Sequence, residues 1–204
     1  MERAAEIELA RQLISGRPEA FDRFVEHFRS KVFQYSRLIC GHREDAEEVA
    51  QETLLKVFEN FDQLREPERV RAWVFRIAKN ACLMKRRKSV YAPAHELSLD
   101  EFLPARGNGD PMKIEIADWS NLPEDRLLRA EFRRVFEEAI REMPEIYRPV
   151  ILLRDVEELS TEETAQVLEV SADVVKTRLH RARLFVRKKL DGYLRANTQP
   201  AGEN

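Results

Sequence analysis

The chain has 204 residues, of which 43% are hydrophobic and 35% are charged, and it contains only six glycines. This length accommodates two small domains or one ordinary domain, and scarce glycine argues against a turn-rich all-β fold. The sequence contains no window of eighteen apolar residues, so no membrane span is predicted. The polar segment Met1–Glu6 lacks the apolar stretch of a signal peptide. A cytoplasmic protein without membrane insertion is therefore expected.

The net charge of −2 conceals a strong segregation of charge along the chain. Residues 63–88 contain nine basic and two acidic residues, and residues 171–195 contain eight basic and two acidic residues. Residues 41–62 reverse the balance, with seven acidic and two basic residues. Two basic blocks on a nearly neutral chain predict two separate contacts with a polyanion, and two solvated helix faces are the alternative interpretation.

Helical periodicity runs through almost all of the first 88 residues, with apolar side chains at steps of three and four. Gly16-Arg17-Pro18 predicts a break after the first helix, and Gly41-His42 predicts the end of the second. Pro67 separates the third helix from the fourth. Four helices are therefore predicted, ending near residues 15, 40, 61 and 87.

Residues 89–121 interrupt the helical pattern, because they contain three prolines, two glycines and many acidic residues without a sustained period. This composition predicts a flexible acidic linker between two domains. Pro123 fits the first turn of a new helix, periodicity then continues to Met143, and Pro144 is expected to start another helix. The predicted fold is all-α, with helical domains at residues 1–88 and 123–195, a linker at residues 89–122 and a tail at residues 196–204.

Residues 159–186 carry the pattern of a helix-turn-helix. Ser160 and Glu163 have the spacing of a capping box, and Ala165 and Leu168 are expected to point inward from the short helix that follows. Glu169-Val170 predicts a tight turn, and Ser171 is a suitable N-cap for the second helix. The buried side of that second helix is expected to hold Val174 or Val175, together with Leu179 and Leu184.

The opposite side of the second helix is basic, as in a helix that enters the DNA major groove. An amphipathic core helix with a solvated basic side is the alternative. The predicted DNA-binding residues are Ser171, Lys176, Thr177, Arg178, His180, Arg181 and Arg183.

The third helix has two different sides. Ala46, Val49, Ala50, Thr53, Val57 and Phe61 mark an apolar side, and the opposite side is acidic with one leucine. An acidic surface with one apolar anchor suits a basic helical partner, although an ordinary solvated stripe has the same pattern. The predicted binding residues are Asp45, Glu48, Gln51, Glu52, Leu55 and Glu59.

Four segments together resemble the extracytoplasmic-function (ECF, group IV) sigma factors of the sigma-70 family. Asp45–Thr53 and Arg71–Asn80 are similar to region 2 of that family, and Leu152–Arg183 and its lead-in Met143–Arg148 are similar to region 4. The chain departs from the family pattern at Glu158 and Asp173, where glycine is common, and at Thr164, where isoleucine is common. Asp173 places a negative charge near DNA and is expected to alter the preferred bases.

The resemblance implies a sigma factor without cofactor or metal that directs RNA polymerase to promoters, typically in a stress response. Its implied partners are promoter DNA, an anti-sigma factor and core RNA polymerase, through the clamp helices of the largest subunit and the flap of the second largest. The acidic side of the third helix would dock on the clamp, and the linker would thread the RNA exit path. The C-terminal helix-turn-helix would bind the minus-35 element.

The resemblance also assigns recognition and melting of the minus-10 element to residues 64–88. Extruding a base costs a few kcal/mol, which a pocket and stacking surfaces offset. Asn80 can read a base edge, whereas Trp73 lies on an apolar side with Ile77 and is expected in the core. The predicted minus-10 residues are Leu64, Arg65, Arg71, Arg76, Lys79, Asn80, Lys85, Arg86 and Arg87.

Two other classes of protein fit the sequence less well. A stand-alone helix-turn-helix regulator of the LuxR-like kind would share the C-terminal domain, but it would not explain residues 45–80. An enzyme is disfavoured, because the four histidines are scattered and the chain has no nucleophile elbow or phosphate loop. Cys40 and Cys82 stand alone in apolar contexts without metal-ligand spacing, which is typical of small buried residues.

Overall fold

The computed structural model describes residues 2–88 and 126–198, with the side chains of residues 18, 87, 88, 126–129 and 194–198 left out of the description. The predicted linker at residues 89–122 and the helix start at Pro123 lie outside the described residues. The described parts are all-α, as the sequence predicts. They contain α1 Glu2–Ile14, α2 Pro18–Cys40, α3 Arg43–Asn60, α4 Val70–Lys88, α5 Arg126–Glu142, α6 Arg148–Ile151, α7 Thr161–Leu168 and α8 Ala172–Thr198.

The predicted breaks between the first three helices are confirmed. Gly16 follows α1 with φ +73°, and Gly41 ends α2 with φ +84°, a left-handed conformation that glycine adopts without steric cost. The Gly41 amide donates to the Arg37 carbonyl at 3.1 Å, which satisfies a carbonyl at the end of α2. Helices α1 to α4 form the N-terminal domain around fully buried Phe24, Phe28 and Phe75.

Helices α5 to α8 form the C-terminal domain. Pro144 does not start a helix as predicted, because the chain makes a turn before α6 begins at Arg148. A π-helical turn, Leu152–Val156, continues α6, and its buried Leu152 and Leu153 join the core. The last helix also runs to Thr198, beyond the predicted start of the tail at residue 196.

The two domains contact each other, and one buried apolar cluster continues from the N-terminal helices into the C-terminal ones. Helix α4 contacts α7, and α2 contacts α5 and α6. Ion pairs join Arg3 of α1 to Glu163 of α7 and Arg37 of α2 to Glu137 of α5. In this closed arrangement the first helix of the helix-turn-helix lies against the helix predicted to read the minus-10 element.

Candidate polymerase and promoter interfaces

The predicted binding side of α3 is largely accessible. Glu48, Gln51 and Glu59 are exposed, and Leu55 keeps 56% of its accessible surface. Asp45 and Glu52 are half-buried, because Asp45 pairs with Lys85 at 3.2 Å and Glu52 pairs with Lys56 at 2.7 Å. Most of the stripe is therefore available to a partner while the packed side of α3 faces α2 and α4.

Phe58 extends this stripe and was not among the predicted binding residues. Its side chain keeps 52% of its accessible surface, and its ring meets the edge of Phe21 with centroids 4.8 Å apart. Phe58 follows Leu55 by three residues, so the two apolar side chains lie on neighbouring positions of the helix surface. The three-residue spacing from Leu55 is visible in the sequence and could have identified Phe58 as part of the stripe. Leu55 and Phe58 give the acidic stripe an apolar centre.

The predicted minus-10 residues fall into two groups by accessibility. Arg65, Arg76 and Asn80 are exposed, whereas Leu64 is buried. Trp73 is 8% exposed, which confirms the expectation that it belongs to the core. A cleft of about 230 Å³ lies here, lined by Leu64, Arg65, Trp73 and Arg76 of the N-terminal domain and by Gln166 and Val167 of α7.

Arg71 does not fit the predicted contact with phosphates, because it is 4% exposed. Its Nε donates to Oε2 of Glu6 at 2.7 Å, and its Nη1 donates to the Glu157 carbonyl at 2.7 Å. A guanidinium with these partners is out of reach of DNA in this arrangement. Arg71 instead joins α1 and α4 to the turn that precedes the helix-turn-helix.

Glu6 is the centre of a buried charged cluster. Burial raises its pKa, but hydrogen bonds from Arg71 and His27 outweigh this effect and lower the pKa below its ordinary value. The His27 ring lies 2.9 Å from Glu6, and Lys31 pairs with Glu2 at 2.6 Å. Glu2, Glu6 and His27 are close enough to bind a metal ion, but Lys31 and Arg71 already supply positive charge to the two carboxylates.

Glu157 lies on the other side of Arg71 and is also buried. Burial raises the pKa of its carboxyl group to about 7, against the lowering effect of Lys31 and Arg71. Its Oε2 has no hydrogen-bond partner among the described residues. The contact between the domains therefore includes a carboxyl group that takes up a proton near neutral pH.

Three further basic residues of α4 are paired with acidic partners in the closed arrangement. Lys79 pairs with Glu169 at 2.8 Å, between α4 and the turn of the helix-turn-helix. Lys85 pairs with Glu48 and Asp45 of α3, and Arg86 pairs with Glu145 of the C-terminal domain. The side chain of Arg87 lies outside the described residues.

The helix-turn-helix forms as the sequence predicts. The Glu163 amide donates to the Ser160 hydroxyl at 3.0 Å, and the Ser160 amide donates to the Glu163 carboxylate at 2.7 Å, which completes the capping box. Glu169 turns the chain with φ +58°. Ser171 then caps α8 by accepting a hydrogen bond from the Val174 amide at 3.3 Å.

The buried positions of these two helices differ partly from the prediction. Thr164 and Val167 are the fully buried residues of α7, one position before the expected Ala165 and Leu168, which are half-buried. In α8, Val175 and Leu179 are buried as expected, whereas Leu184 is half-buried. The core side of α8 is completed by Ala182, Phe185 and Val186.

The basic side of α8 divides into exposed and packed residues. Arg183 does not lie free for DNA, because its guanidinium forms two hydrogen bonds with Asp155, at 2.7 and 2.9 Å. These bonds raise the pKa of Arg183. Half-buried Arg181 donates to the Tyr147 hydroxyl at 3.3 Å, and Arg178 is half-buried as well.

The exposed side of α8 is formed by residues at helical spacing from its first turn onwards. Lys176 and Asp173 pair on this side at 3.3 Å. Because side chains three, four and seven residues apart share one helix side, these residues form a continuous surface. Its members are Asp173, Lys176, Thr177, His180 and Arg187, and Ser171 lies exposed at the N-cap that precedes them.

The sequence and the architecture agree with one protein family. A profile described as sigma-70 region 2 matches residues 24–90, and one described as sigma-70 region 4 matches residues 133–186. The ECF RNA polymerase sigma factor SigW of Bacillus subtilis is 31% identical over 180 residues, which cover 88% of this chain and 94% of SigW. This chain belongs to the ECF sigma factors.

Other members of the family are similar along nearly the whole chain. The ECF RNA polymerase sigma-E factor of Escherichia coli K12 is 27% identical, with 92% of this sigma factor and 95% of the relative covered. The structure of CnrH bound to the cytosolic domain of CnrY matches with a TM-score of 0.59 at 25% identity, covering 92% of this chain and 98% of CnrH. The sigma factor RpoE of Bartonella quintana, bound to the anti-sigma factor NepR, has the same fold at 19% identity and a TM-score of 0.59, covering 84% and 96% of the two chains.

Proposed function

We propose that this sigma factor binds core RNA polymerase and directs it to promoters by recognising a minus-10 and a minus-35 element. The observation that carries the proposal is the presence in one chain of both family regions, each with an accessible surface of suitable chemistry. It acts by binding rather than by catalysis, in the cytoplasm where RNA polymerase and DNA are found. No helix in the described part of the chain is long and apolar enough to cross a membrane.

The α3 stripe is the proposed surface for the polymerase clamp helices. Exposed Leu55 and Phe58 would fill an apolar site on a basic helical partner, and Glu48, Gln51, Glu52 and Glu59 would surround them. In such an arrangement the apolar centre contributes most of the binding free energy, and the surrounding charges orient the partner. The C-terminal domain would contact the flap while α8 binds the minus-35 element.

The minus-10 element is assigned to the surface formed by Arg65, Arg76 and Asn80. Arg65 and Arg76 can neutralise phosphates or stack on bases, and the Asn80 amide can donate to and accept from one base edge. Lys79, Lys85 and Arg86 join this surface only after exchanging their acidic partners for phosphates.

The closed arrangement cannot engage both promoter elements at once. The minus-10 and minus-35 elements are named for their promoter positions, which are about 25 base pairs apart, or about 85 Å at 3.4 Å per base pair. In the closed arrangement α7 contacts α4, so the two DNA-reading domains are adjacent. The 37 residues between α4 and α5 can reach at most about 130 Å, which is enough for the domains to separate. We therefore infer that holoenzyme formation separates them.

An anti-sigma factor is the third proposed partner. The matching structures of CnrH and RpoE are complexes with the cytosolic domain of CnrY and with the anti-sigma factor NepR, respectively. By analogy, an anti-sigma factor would hold this chain in a form that cannot bind polymerase. It is expected either to cover the α3 stripe, where core polymerase would bind, or to prevent the separation of the domains that polymerase binding requires.

The test of the proposed function is transcription in vitro with purified core polymerase, followed by mapping of the start sites. The double variant Glu52→Arg/Leu55→Arg should fail to co-purify with core polymerase while keeping its helical content. The matched control is Glu26→Arg, which reverses an exposed charge on α2, outside the stripe. Start sites that do not depend on the sigma factor would refute the proposal.

A further inference from the structure

The two cysteines of the chain meet in the N-terminal domain. Cys40 is the last residue of α2, Cys82 lies within α4, and their sulfur atoms are 3.6 Å apart although 42 residues separate them in sequence. Both are free thiols. Cys82 is buried, whereas Cys40 is half-buried and so remains open to a small solute. Neither cysteine belongs to the surfaces assigned to polymerase or DNA.

The two thiols differ in acidity. The hydrogen bond with Cys82 lowers the pKa of Cys40, and the positive charges of Arg86 and Lys85 act in the same direction against burial and Asp45. The hydrogen bond with Cys40 raises the pKa of Cys82, and burial raises it further. Cys40 therefore ionises first, and the Cys82 S–H group then donates to its thiolate. A thiolate with partial solvent access is the reactive form of cysteine.

We propose that Cys40 and Cys82 form a redox-modification site that closes to an intramolecular disulfide on reaction with a hydroperoxide. The Cys40 thiolate attacks one peroxide oxygen, the O–O bond breaks, and Cys40 becomes a sulfenic acid while hydroxide leaves. The Cys82 sulfur then attacks the Cys40 sulfur and displaces the hydroxyl group, which leaves as water with the Cys82 proton. In sum, two thiols and one hydrogen peroxide give one disulfide and two waters.

The local geometry allows this closure. A disulfide brings its sulfur atoms to about 2.05 Å, so the two sulfurs must approach by roughly 1.6 Å. Cys82 is held by its position in the interior of α4, but Cys40 ends α2 and is followed by Gly41, which has φ +84°. A shift at a helix end disturbs only the last one or two helical hydrogen bonds, whereas a shift within α4 would disturb bonds on both sides, so Cys40 supplies the movement.

The disulfide would fasten the end of α2 to α4 and close a loop that contains all of α3. Closing a loop of this length restricts the unfolded chain and so favours the folded domain. The crosslink would also fix α4 one turn before Lys85 and Arg86, which hold α3 and the C-terminal domain through their acidic partners. The oxidised N-terminal domain is therefore expected to resist unfolding more strongly than the reduced one.

The experiment uses the full-length reduced protein, titrated with hydrogen peroxide in the absence of thiols. One molar equivalent should consume both thiols, lower the intact mass by about 2 Da and leave the protein monomeric. Thermal unfolding followed by circular dichroism should shift upward by at least about 5 °C, and dithiothreitol should reverse all these changes. These readouts need neither polymerase nor DNA, so they succeed or fail independently of the proposed function.

Single variants separate the two cysteines. Cys82→Ala should accumulate a sulfenic acid at Cys40 that dimedone traps, and Cys40→Ser should react at least tenfold more slowly than wild type. Helical circular dichroism of each variant checks that it folds. The proposal is overturned if wild type gains oxygen instead of losing two hydrogens, if it forms intermolecular dimers, or if Cys40→Ser reacts as fast as wild type.

Discussion

Arg71 Nε lies 2.7 Å from Oε2 of Glu6, and both side chains are almost completely buried. The same guanidinium reaches the Glu157 carbonyl, so one residue of α4 connects the first helix to the C-terminal domain. This relationship changes the interpretation of the basic block at residues 63–88. One of its arginines stabilises the closed arrangement, so the proposed DNA contacts of this block rest on its exposed arginines.

We predict that Arg71→Ala destabilises the protein much more than Arg76→Ala. Removing one partner of a buried ion pair leaves an uncompensated charge, and the expected loss is about 3–5 kcal/mol in the free energy of unfolding. Arg76 is exposed, and its substitution should cost less than about 0.5 kcal/mol. Urea unfolding of the free protein measures both values. Equal stability of the two variants would contradict the structural role of Arg71.

Glu157 gives the stability of the closed protein a pH dependence. Its folded-state pKa of about 7 exceeds its ordinary value of 4.5, so the folded protein binds the proton more tightly than the unfolded chain. Its contribution to stability is therefore fully present below about pH 4.5 and is lost as pH rises through about 7. Glu157→Gln should remove this loss, which is at most about 3 kcal/mol.

The measurement for Glu157 is urea unfolding of wild type and Glu157→Gln at several pH values between 5 and 8. The difference between the two proteins isolates Glu157 from Glu2 and Glu6, whose pKa values are lowered by their cationic partners. The variant should gain stability relative to wild type as pH increases. A difference that stays constant across this range would show that Glu157 does not titrate there.

The backbone of Glu158 is strained, because this residue has φ +54° immediately before the helix-turn-helix. The left-handed conformation is unfavourable for residues with a Cβ and is readily adopted by glycine. Glu158→Gly should therefore raise the free energy of unfolding by about 0.5–1 kcal/mol, even though it removes a 3.8 Å contact with Arg71. The control is Glu162→Gly, in the first turn of α7, which should lower stability by up to about 1 kcal/mol.

The sequence predicts the local structure well, because helix breaks and caps depend on neighbouring residues. The capping box of Ser160 and Glu163 and the glycine at the end of α2 are examples, and both form as expected. Contacts between segments that are distant in sequence cannot be predicted in this way. The partners of Arg71 lie 65 and 86 residues away, and nothing in its local pattern identifies them. Arg183 was likewise assigned to DNA from its place on the basic side of α8, because no local pattern identifies its partner Asp155, 28 residues away.

The ion pair between Arg37 and Glu137 provides a test of domain separation. Arg37→Glu places two carboxylates together and should shift the free protein towards the open arrangement by about two- to fivefold. Adding Glu137→Arg should restore the closed population, and Arg29→Glu, an exposed change on the same helix, should leave it unaltered. Energy transfer between dyes on the two domains reports the populations. Failure of the second change to restore closure would exclude this pair as a domain contact.

The final prediction distinguishes three basic residues of α8 by their positions. Lys176 lies on the exposed side within the first two turns, where a recognition helix reaches base edges, and Arg187 lies about 17 Å further along the axis. Lys176→Ala should change the ranking of minus-35 variants, with about 1–3 kcal/mol of lost discrimination at one base pair. Arg187→Ala should weaken initiation on all variants alike and reduce its dependence on salt, as expected for a phosphate contact. Arg183→Ala should instead lower stability, since it leaves Asp155 without its guanidinium partner. Initiation by the holoenzyme across a library of minus-35 sequences at two salt concentrations, together with urea unfolding, separates the three outcomes. An unchanged ranking with Lys176→Ala would remove the exposed side of α8 from base recognition.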